Sequence, residues 1–157
     1  MKLGFLTAPF PDTPLTGVAD WASSVGFEAL EIACWPRTSG PTRRYAGTSH
    51  IDVAGLTGSE AKEIVDALGA RNIAISALGY YPNPLAPDAE HRRTVMDHLR
   101  KVIVAAKLMG VPVVNTFCGG DAAKTLDANW NDAQAVWPET LAFAARTRNG
   151  LQRILSG

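Results

Sequence analysis

Residues 110–121 read Gly-Val-Pro-Val-Val-Asn-Thr-Phe-Cys-Gly-Gly-Asp, a short apolar run that ends in two glycines and an acid. Its β-branched and aromatic residues predict a strand at about 111–117, buried on both faces as in a parallel sheet covered by helices. Pro112 suits only the start of such a strand, because proline has no backbone N–H. The glycines would let a ligand approach the backbone N–H groups, so we expect chemistry at this strand end. Alternation places four side chains on one face: Val111, Val113, Asn115 and Phe117.

Three more strand-like segments precede this one, near residues 2–7, 27–32 and 73–78. A segment with helical spacing of apolar residues follows each of the four strands. Strict alternation of this kind predicts an α/β fold with a parallel sheet and right-handed crossovers. Neither a G-x-G-x-x-G nor a Walker sequence is present, which disfavours nucleotide binding. The order of elements alone leaves both an open doubly wound sheet and part of a (β/α)₈ barrel possible.

Several helix boundaries can be predicted from capping and breaking residues. Thr57-Gly58-Ser59-Glu60 has capping-box spacing, and Gly69 is expected to end the helix that follows. A third helix is predicted from about Asp88 to Met109, and a fourth around residues 133–144, where Pro138 would kink it or open its second part.

The composition is that of an ordinary water-soluble globular domain. The 157 residues contain 46% hydrophobic and 19% charged residues, and 15 basic residues balance 15 acidic ones. This balance gives no electrostatic footprint for nucleic acid or an anionic membrane. The N-terminus has no signal-peptide pattern, so a cytoplasmic location is the default expectation. Cys34 and Cys118 are too few for a disulfide framework and are expected to be reduced core residues.

Polar residues in unusual places are the candidates for chemistry. Glu31 stands in an otherwise apolar strand, and we expect it to be packed and hydrogen-bonded rather than catalytic. The stretch from 33 to 56 is long for a connection, carries Trp35, Arg37, Arg43, Arg44, Tyr45, His50 and Asp52, and has the character of a binding loop. His91 and His98 lie among arginines, which predicts a solvated helix face rather than a metal site.

Four strings of the sequence resemble the sugar phosphate isomerase/epimerase family of xylose-isomerase-like TIM barrels. They are ALEIACWP at 29–36, HIDV at 50–53, ALGYYPNPL at 77–85 and GVPVVNTF at 110–117. The resemblance implies a partial (β/α)₈ TIM barrel of about four βα units with a parallel sheet, in which residues 1–145 are the N-terminal half. Residues 146–157 depart from the family, as a truncation or a frameshift would make them do.

The resemblance also implies a reaction: metal-assisted proton transfer next to the carbonyl of a sugar or sugar phosphate. A divalent metal (Mn, Mg or Zn) is expected for the full-length family, whose ligands follow strands five to eight. Because this chain departs before them, we expect an incomplete, inactive fragment that binds no metal by itself, and we assign no catalytic residue. Loops after strands one to four would line a pocket for the sugar substrate. Their candidate substrate-binding residues are Trp35, His50, Tyr80, Asn83, Phe117 and Asp121.

Plainer interpretations of these residues stay open, as do two other functions. The aromatic residues could simply cover the barrel mouth, and Asn83 could cap a turn. An endonuclease-IV-like DNA repair enzyme shares the fold, but Gly79-Tyr80 and Phe117-Cys118 stand where that family has metal-binding histidines. A non-catalytic half-barrel could self-associate through its open sheet edges, giving a homo-oligomer with neither nucleic-acid nor membrane partners.

Overall fold

The computed structural model describes residues 1–37 and 47–155, with side chains up to residue 148. The predicted binding-loop residues Arg43, Arg44 and Tyr45 therefore lie outside the described residues. Four strands alternate with four helices. Their bounds are β1 Gly4–Leu6, α1 Leu15–Ser24, β2 Ala29–Ala33, α2 Gly58–Gly69, β3 Ala74–Gly79, α3 Ala89–Leu108, β4 Val114–Asn115 and α4 Leu126–Leu155.

The four strands form one sheet in the order β1-β2-β3-β4, and every neighbouring pair is parallel. This sequential order confirms the predicted barrel-like arrangement and excludes a doubly wound order within the described strands. The register shifts once, between Leu30 and Glu31 of β2. The fold is thus an α/β half-barrel whose strands all end at the same edge of the sheet, which in a TIM barrel is the edge that carries the active site.

One face of the sheet is packed against the helices. Leu30, Ile32 and Leu78 are completely buried there, and full burial of an aliphatic side chain stabilises a fold by about 1.5–3 kcal/mol. The helices contribute matching apolar stripes, as their spacing predicts. Fully or nearly fully buried helical residues include Val18, Ala19, Ala22, Ala61, Leu68, Val95, Leu99 and Val102.

The fourth strand is shorter and more exposed than predicted. Only Val114–Asn115 pairs with β3, whereas the sequence predicted a strand over 111–117. Pro112 cannot donate to a ladder, and no described strand pairs with the outer edge of β4. Val113 is 43% exposed and Phe117 is 58% exposed, so the prediction that both faces of this strand are buried is wrong.

Local signals placed the second and third helices well. Thr57 Oγ1 accepts a hydrogen bond from the Glu60 N–H (3.3 Å), and the Glu60 carboxylate accepts one from the Thr57 N–H (2.8 Å), which confirms the capping box. The third helix spans Ala89–Leu108, within one residue of its predicted ends. The fourth helix is longer than predicted and contains Pro138 in its interior.

Two predicted environments are wrong. His98 is buried, although the arginines around it in sequence indicated a solvated face. Its Nε2 lies 2.8 Å from the carbonyl oxygen of Cys34, and its ring packs against that of Tyr80 at a tilt of 53°. Cys118 is exposed rather than in the core, because the chain has already left the sheet there, while Cys34 is buried as expected.

Candidate functional site

The sheet face that none of the described helices covers carries mostly small side chains. Laterally paired residues of a parallel sheet point to the same face, as do residues two apart along one strand. One paired row contains Leu6, Glu31 and Ala77, and the next contains Ala33, Gly79 and Asn115. This face is the interior side of the half-barrel, and Glu31 and Asn115 are the polar members of these two rows.

The Glu31 carboxylate joins the three strands β2, β3 and β4. The Tyr81 hydroxyl, just beyond β3, donates a hydrogen bond to one carboxylate oxygen of Glu31. The Asn115 Nδ2 group donates to the other oxygen at 2.8 Å. Burial, reinforced by the bond to Glu31 and the nearby negative charge, raises the pKa of Tyr81, so its hydroxyl stays protonated as a donor. The expectation that Glu31 is packed and hydrogen-bonded is confirmed.

A glycine makes room for this carboxylate. A Cβ atom at position 79 would lie 2.5 Å from a Glu31 carboxylate oxygen and 3.0 Å from the Tyr81 ring. Aromatic rings border the same place, since the Tyr81 ring centroid lies 4.9 Å from that of Phe117 and 5.9 Å from that of Trp35. We call this surface, formed by Glu31, Gly79, Tyr81, Asn115 and Phe117, the basin.

Of the six predicted substrate-binding residues, Phe117 and Trp35 are the two that pack on the Tyr81 ring. Phe117 is exposed at the basin edge, whereas Trp35 is buried behind it. Tyr80 is only 2% exposed and turns away, with its ring 4.5 Å from that of His98. Burial raises the pKa of Tyr80 to about 12. Its position suits a packing role, and its contact with substrate stays a prediction.

His50 lies in a separate hydrogen-bonded group between the loops after β1 and β2. The Thr7 hydroxyl oxygen accepts from the Ala33 N–H at 2.9 Å, so the hydroxyl hydrogen is available for His50 Nδ1, also 2.9 Å away. His50 Nε2 then carries the ring hydrogen and donates to the Thr13 carbonyl at 3.1 Å. Burial lowers the pKa of His50, which favours this neutral form.

Asn83 connects the loop after β3 to the loop after β4. Its Nδ2 donates to the Gly120 carbonyl (2.6 Å), and its Oδ1 accepts from the N–H groups of Gly120 and Leu85 (3.0 Å each). Asp121 follows directly, with its N–H donating to Asn129 Oδ1 at 2.7 Å. The N–H groups of Gly120 and Asp121 are therefore already hydrogen-bonded, so at Gly120 the loop does not present the free backbone N–H group that was expected there. Asn83 caps a turn, and contact of Asn83 or Asp121 with substrate stays a prediction.

Two side chains of the basin were not singled out from the sequence: Tyr81 and Asn115. Asn115 could have been found, because an amide among Val113, Val114 and Phe117 is as unusual as Glu31 in its own strand. Tyr81 had no such signal. It sits beside Tyr80, and only the direction of the chain beyond β3 decides which ring faces the interior.

The described residues do not form a metal site. In the ranges 1–37 and 47–155, no three His, Cys, Asp or Glu side chains lie close enough together to hold a metal ion. The acidic and imidazole candidates are occupied elsewhere: Glu31 with Tyr81 and Asn115, and His50 with Thr7 and Thr13. What the basin can do chemically is accept and orient hydroxyl groups beside an aromatic wall.

A concavity lies on the outer side of the sheet, between α3, α4 and the β4 edge. We call it the edge groove. Apolar residues of both helices line it, together with Val114 and Thr116 of the β4 region. The hydroxyl groups of Thr116 and Thr140 are buried there without a hydrogen-bond partner among the described residues. Unpaired buried hydroxyls destabilise a structure, so this groove is a place where further contacts would be favourable.

Comparison with known proteins identifies the family to which this fold belongs. Residues 19–152 match the model of a family described as the xylose isomerase-like TIM barrel. An uncharacterised Bacillus subtilis protein, YfiH, is 28% identical over 145 residues, which cover 90% of this chain and 44% of YfiH.

No described helix has the length and apolar character needed to span a membrane.

Solved structures agree in fold. A D-psicose 3-epimerase from Clostridium cellulolyticum, determined with D-tagatose, superposes with a TM-score of 0.66 at 16% identity, covering 94% of this chain and 50% of the epimerase. A xylose isomerase domain protein from Planctomyces limnophilus superposes with a TM-score of 0.60 at 12% identity, covering 93% and 49%. The chain therefore spans about half the length of the proteins it matches.

Proposed function

Because the chain belongs to the xylose isomerase-like TIM barrel family, we propose that it forms the N-terminal half of a sugar or sugar phosphate isomerase or epimerase. Residues 1–145 would be the half-barrel and residues 146–157 a divergent tail, although α4 continues to Leu155 and the family match reaches residue 152. The observation that carries the proposal is the Glu31–Tyr81–Asn115 group on the interior face of the sheet. Epimerases with sugar ligands are among its structural neighbours.

In such a reaction a base removes a proton from the carbon next to a carbonyl group and the proton returns in a different position or on the other face. This half would contribute substrate positioning. The basin holds hydroxyl groups, and the Tyr81 and Phe117 rings shield the sugar's carbon skeleton from water. A divalent metal (Mn, Mg or Zn) is the proposed cofactor of the whole enzyme. Since the described residues do not form its site, we assign it no step here.

A chimera tests the proposal. Residues 1–145 are joined to the part of the Bacillus subtilis relative that this chain does not match, and the relative itself serves as the positive control. We expect manganese-dependent interconversion of ketoses by the chimera, and neither turnover nor stoichiometric micromolar manganese binding by the 157-residue chain in calorimetry. A folded, metal-loaded chimera that converts no sugar on which the relative is active would disprove the proposal.

A second candidate function is a self-associating half-barrel without catalysis. It is supported by the exposed apolar side chains along β4 and by the Thr116 and Thr140 hydroxyls of the edge groove, which have no hydrogen-bond partner among the described residues. A homo-oligomer could cover both. No observation favours the DNA-repair alternative. The cytoplasm is the proposed location, where Cys34 and Cys118 would remain free thiols.

A further inference from the structure

We propose that Glu31 is a specificity residue, and that it makes the basin a subsite for hydroxyl groups of a neutral sugar rather than for a phosphate group. This inference rests on the proposed function, because it selects between the sugars and sugar phosphates that the function leaves open. Three observations support it. The basin has hydrogen-bond acceptors that are not in use, it carries the negative charge of Glu31, and backbone N–H groups of the loop after β4 are already hydrogen-bonded.

The first observation is that the basin offers mainly acceptors. An ionised carboxylate has about four lone-pair positions, and the bonds from Tyr81 and Asn115 use one on each oxygen of Glu31. The Tyr81 hydroxyl gives its hydrogen to Glu31, so its oxygen also presents lone pairs. Sugar hydroxyls can donate to these acceptors. A phosphate group, which at neutral pH is mostly an acceptor, cannot.

The second observation is the sign of the charge. The ion pairs of the described residues involve Lys62, Arg71, Arg100 and Lys124, and none of them includes Glu31. A phosphate beside a carboxylate that has no cationic partner among the described residues is repelled, and the repulsion is stronger on a partly buried surface than in water. Arginine and lysine are the side chains that normally hold a phosphate group.

The third observation concerns the loop that would be the natural anion cradle of this half-barrel. The glycines after β4 could present N–H groups to a phosphate. However, the Gly120 N–H donates to Asn83 and the Asp121 N–H donates to Asn129. The aromatic edge formed by Tyr81 and Phe117 suits the C–H face of a sugar ring instead.

The test is a nuclear magnetic resonance titration of the ¹⁵N-labelled 157-residue chain with D-fructose and with D-fructose 6-phosphate. D-Fructose should shift the backbone signals of Glu31, Tyr81 and Asn115, and the phosphate ester should bind there at least about tenfold more weakly. Added salt should strengthen binding of the ester, since it screens the repulsion.

Variants separate charge from shape. Glu31→Gln should weaken D-fructose binding about tenfold, the effect of removing a hydrogen bond to a charged group, and should reduce the preference over the phosphate ester. Glu28→Gln is the matched control, because Glu28 is exposed just before the same strand, and should change neither. Tyr81→Phe keeps the charge and should keep the preference.

Three results would overturn the inference: equal or tighter binding of the phosphate ester by the wild-type chain, an unchanged preference in folded Glu31→Gln, or no shift at the basin with either sugar. If Glu31→Gln does not fold, the salt dependence of the wild-type chain decides. An inactive chimera together with Glu31-dependent D-fructose binding would defeat only the proposed function. An active chimera that prefers phosphate esters at the basin would defeat only this inference.

Discussion

The carboxylate of Glu31 can lie across β3 only because position 79 has no side chain. The atoms that a Cβ would meet there are the Glu31 carboxylate, the Tyr81 ring and the Leu6 side chain. All three belong to the interior face of the sheet. At the scale of single residues, the absence of a side chain at position 79 therefore keeps the basin open, whereas any larger residue would fill it.

Replacing Gly79 by Ala should therefore destabilise the fold and displace Glu31. Overpacking of this kind costs about 1–3 kcal/mol, and urea unfolding measures it. Gly69→Ala is the control, since a Cβ at position 69 would meet no heavy atom within 4 Å. It should leave stability unchanged or raise it, because alanine is the better helix former. Equal stability of the two variants would contradict this role of Gly79.

Two histidines, the buried His98 and the half-buried His50, should make stability depend on pH. Burial is the main cause that lowers the pKa of both His50 and His98 below the ordinary value of 6.5. The unfolded chain then binds protons at a higher pH than the folded chain does. Their contribution to stability is complete above about pH 6.5 and is lost as the pH falls towards and through the lower folded-state pKa values.

We expect a lower free energy of unfolding at about pH 5.5 than at about pH 7.5, measured by chemical denaturation. His98→Gln should reduce this difference. His91→Gln should not, because His91 is exposed on the same helix. A pH dependence that His98→Gln leaves intact, in a folded variant, would show that other groups cause it.

At the scale of secondary-structure elements, the loops after β3 and β4 behave as one unit because Asn83 holds them together. Gly119 lies against this asparagine with a φ of +87°, and a Cβ there would come within 2.5 Å of Asn83 Oδ1. The close approach and the positive φ both require glycine. The loop that follows the short β4 is thus positioned by a side chain from the preceding loop more than by its own two-residue strand.

Asn83→Ala should loosen both loops. It removes three hydrogen bonds and leaves the Gly120 N–H without its partner, so we expect a loss of about 1–3 kcal/mol. Thermal unfolding measures the loss, and faster amide exchange of Leu85 and Gly120 locates it. Asn131→Ala is the control, because Asn131 is exposed on α4 and its side chain makes no hydrogen bond to the described residues. Unchanged exchange at Gly120 would rule out the connection.

At the scale of the whole molecule, the described sheet has four strands and is not closed. Closing a barrel pairs its first and last strands and covers its interior. Here Val113 and Phe117 on the interior face are exposed to solvent. The edge groove contains two buried hydroxyl groups that have no hydrogen-bond partner among the described residues. Both features lie along β4, so we predict that the chain self-associates along this edge.

The purified chain should therefore dimerise or aggregate, as sedimentation velocity would show. Val113→Lys should shift it towards monomer, because a lysine on an exposed strand edge opposes pairing. Val104→Lys is the control: Val104 is 40% exposed, close to the 43% of Val113, but lies on α3. A monodisperse wild-type monomer that unfolds cooperatively would refute the prediction.

The sequence by itself determined the order, type and packing face of the elements. Strand and helix periodicity, the Thr57–Glu60 capping box and the glycines at helix ends act over a few residues, so they can be recognised without the fold. The sequential parallel sheet followed from the alternation together with the family resemblance. The prediction that Glu31 is packed and hydrogen-bonded is also confirmed, because an acid in an apolar strand needs partners.

Only the tertiary structure decided which partners those are. Tyr81 and Asn115 reach Glu31 from positions 50 and 84 residues away in sequence, and His98 meets Cys34 across 64 residues. For His98, the neighbouring residues in sequence gave a wrong prediction. The nearby arginines indicated a solvent-exposed helix face, but the His98 side chain faces Tyr80. Side-chain environments of this kind depend on strand register and on the faces that helices present to the sheet, and the packing of the entire chain sets both.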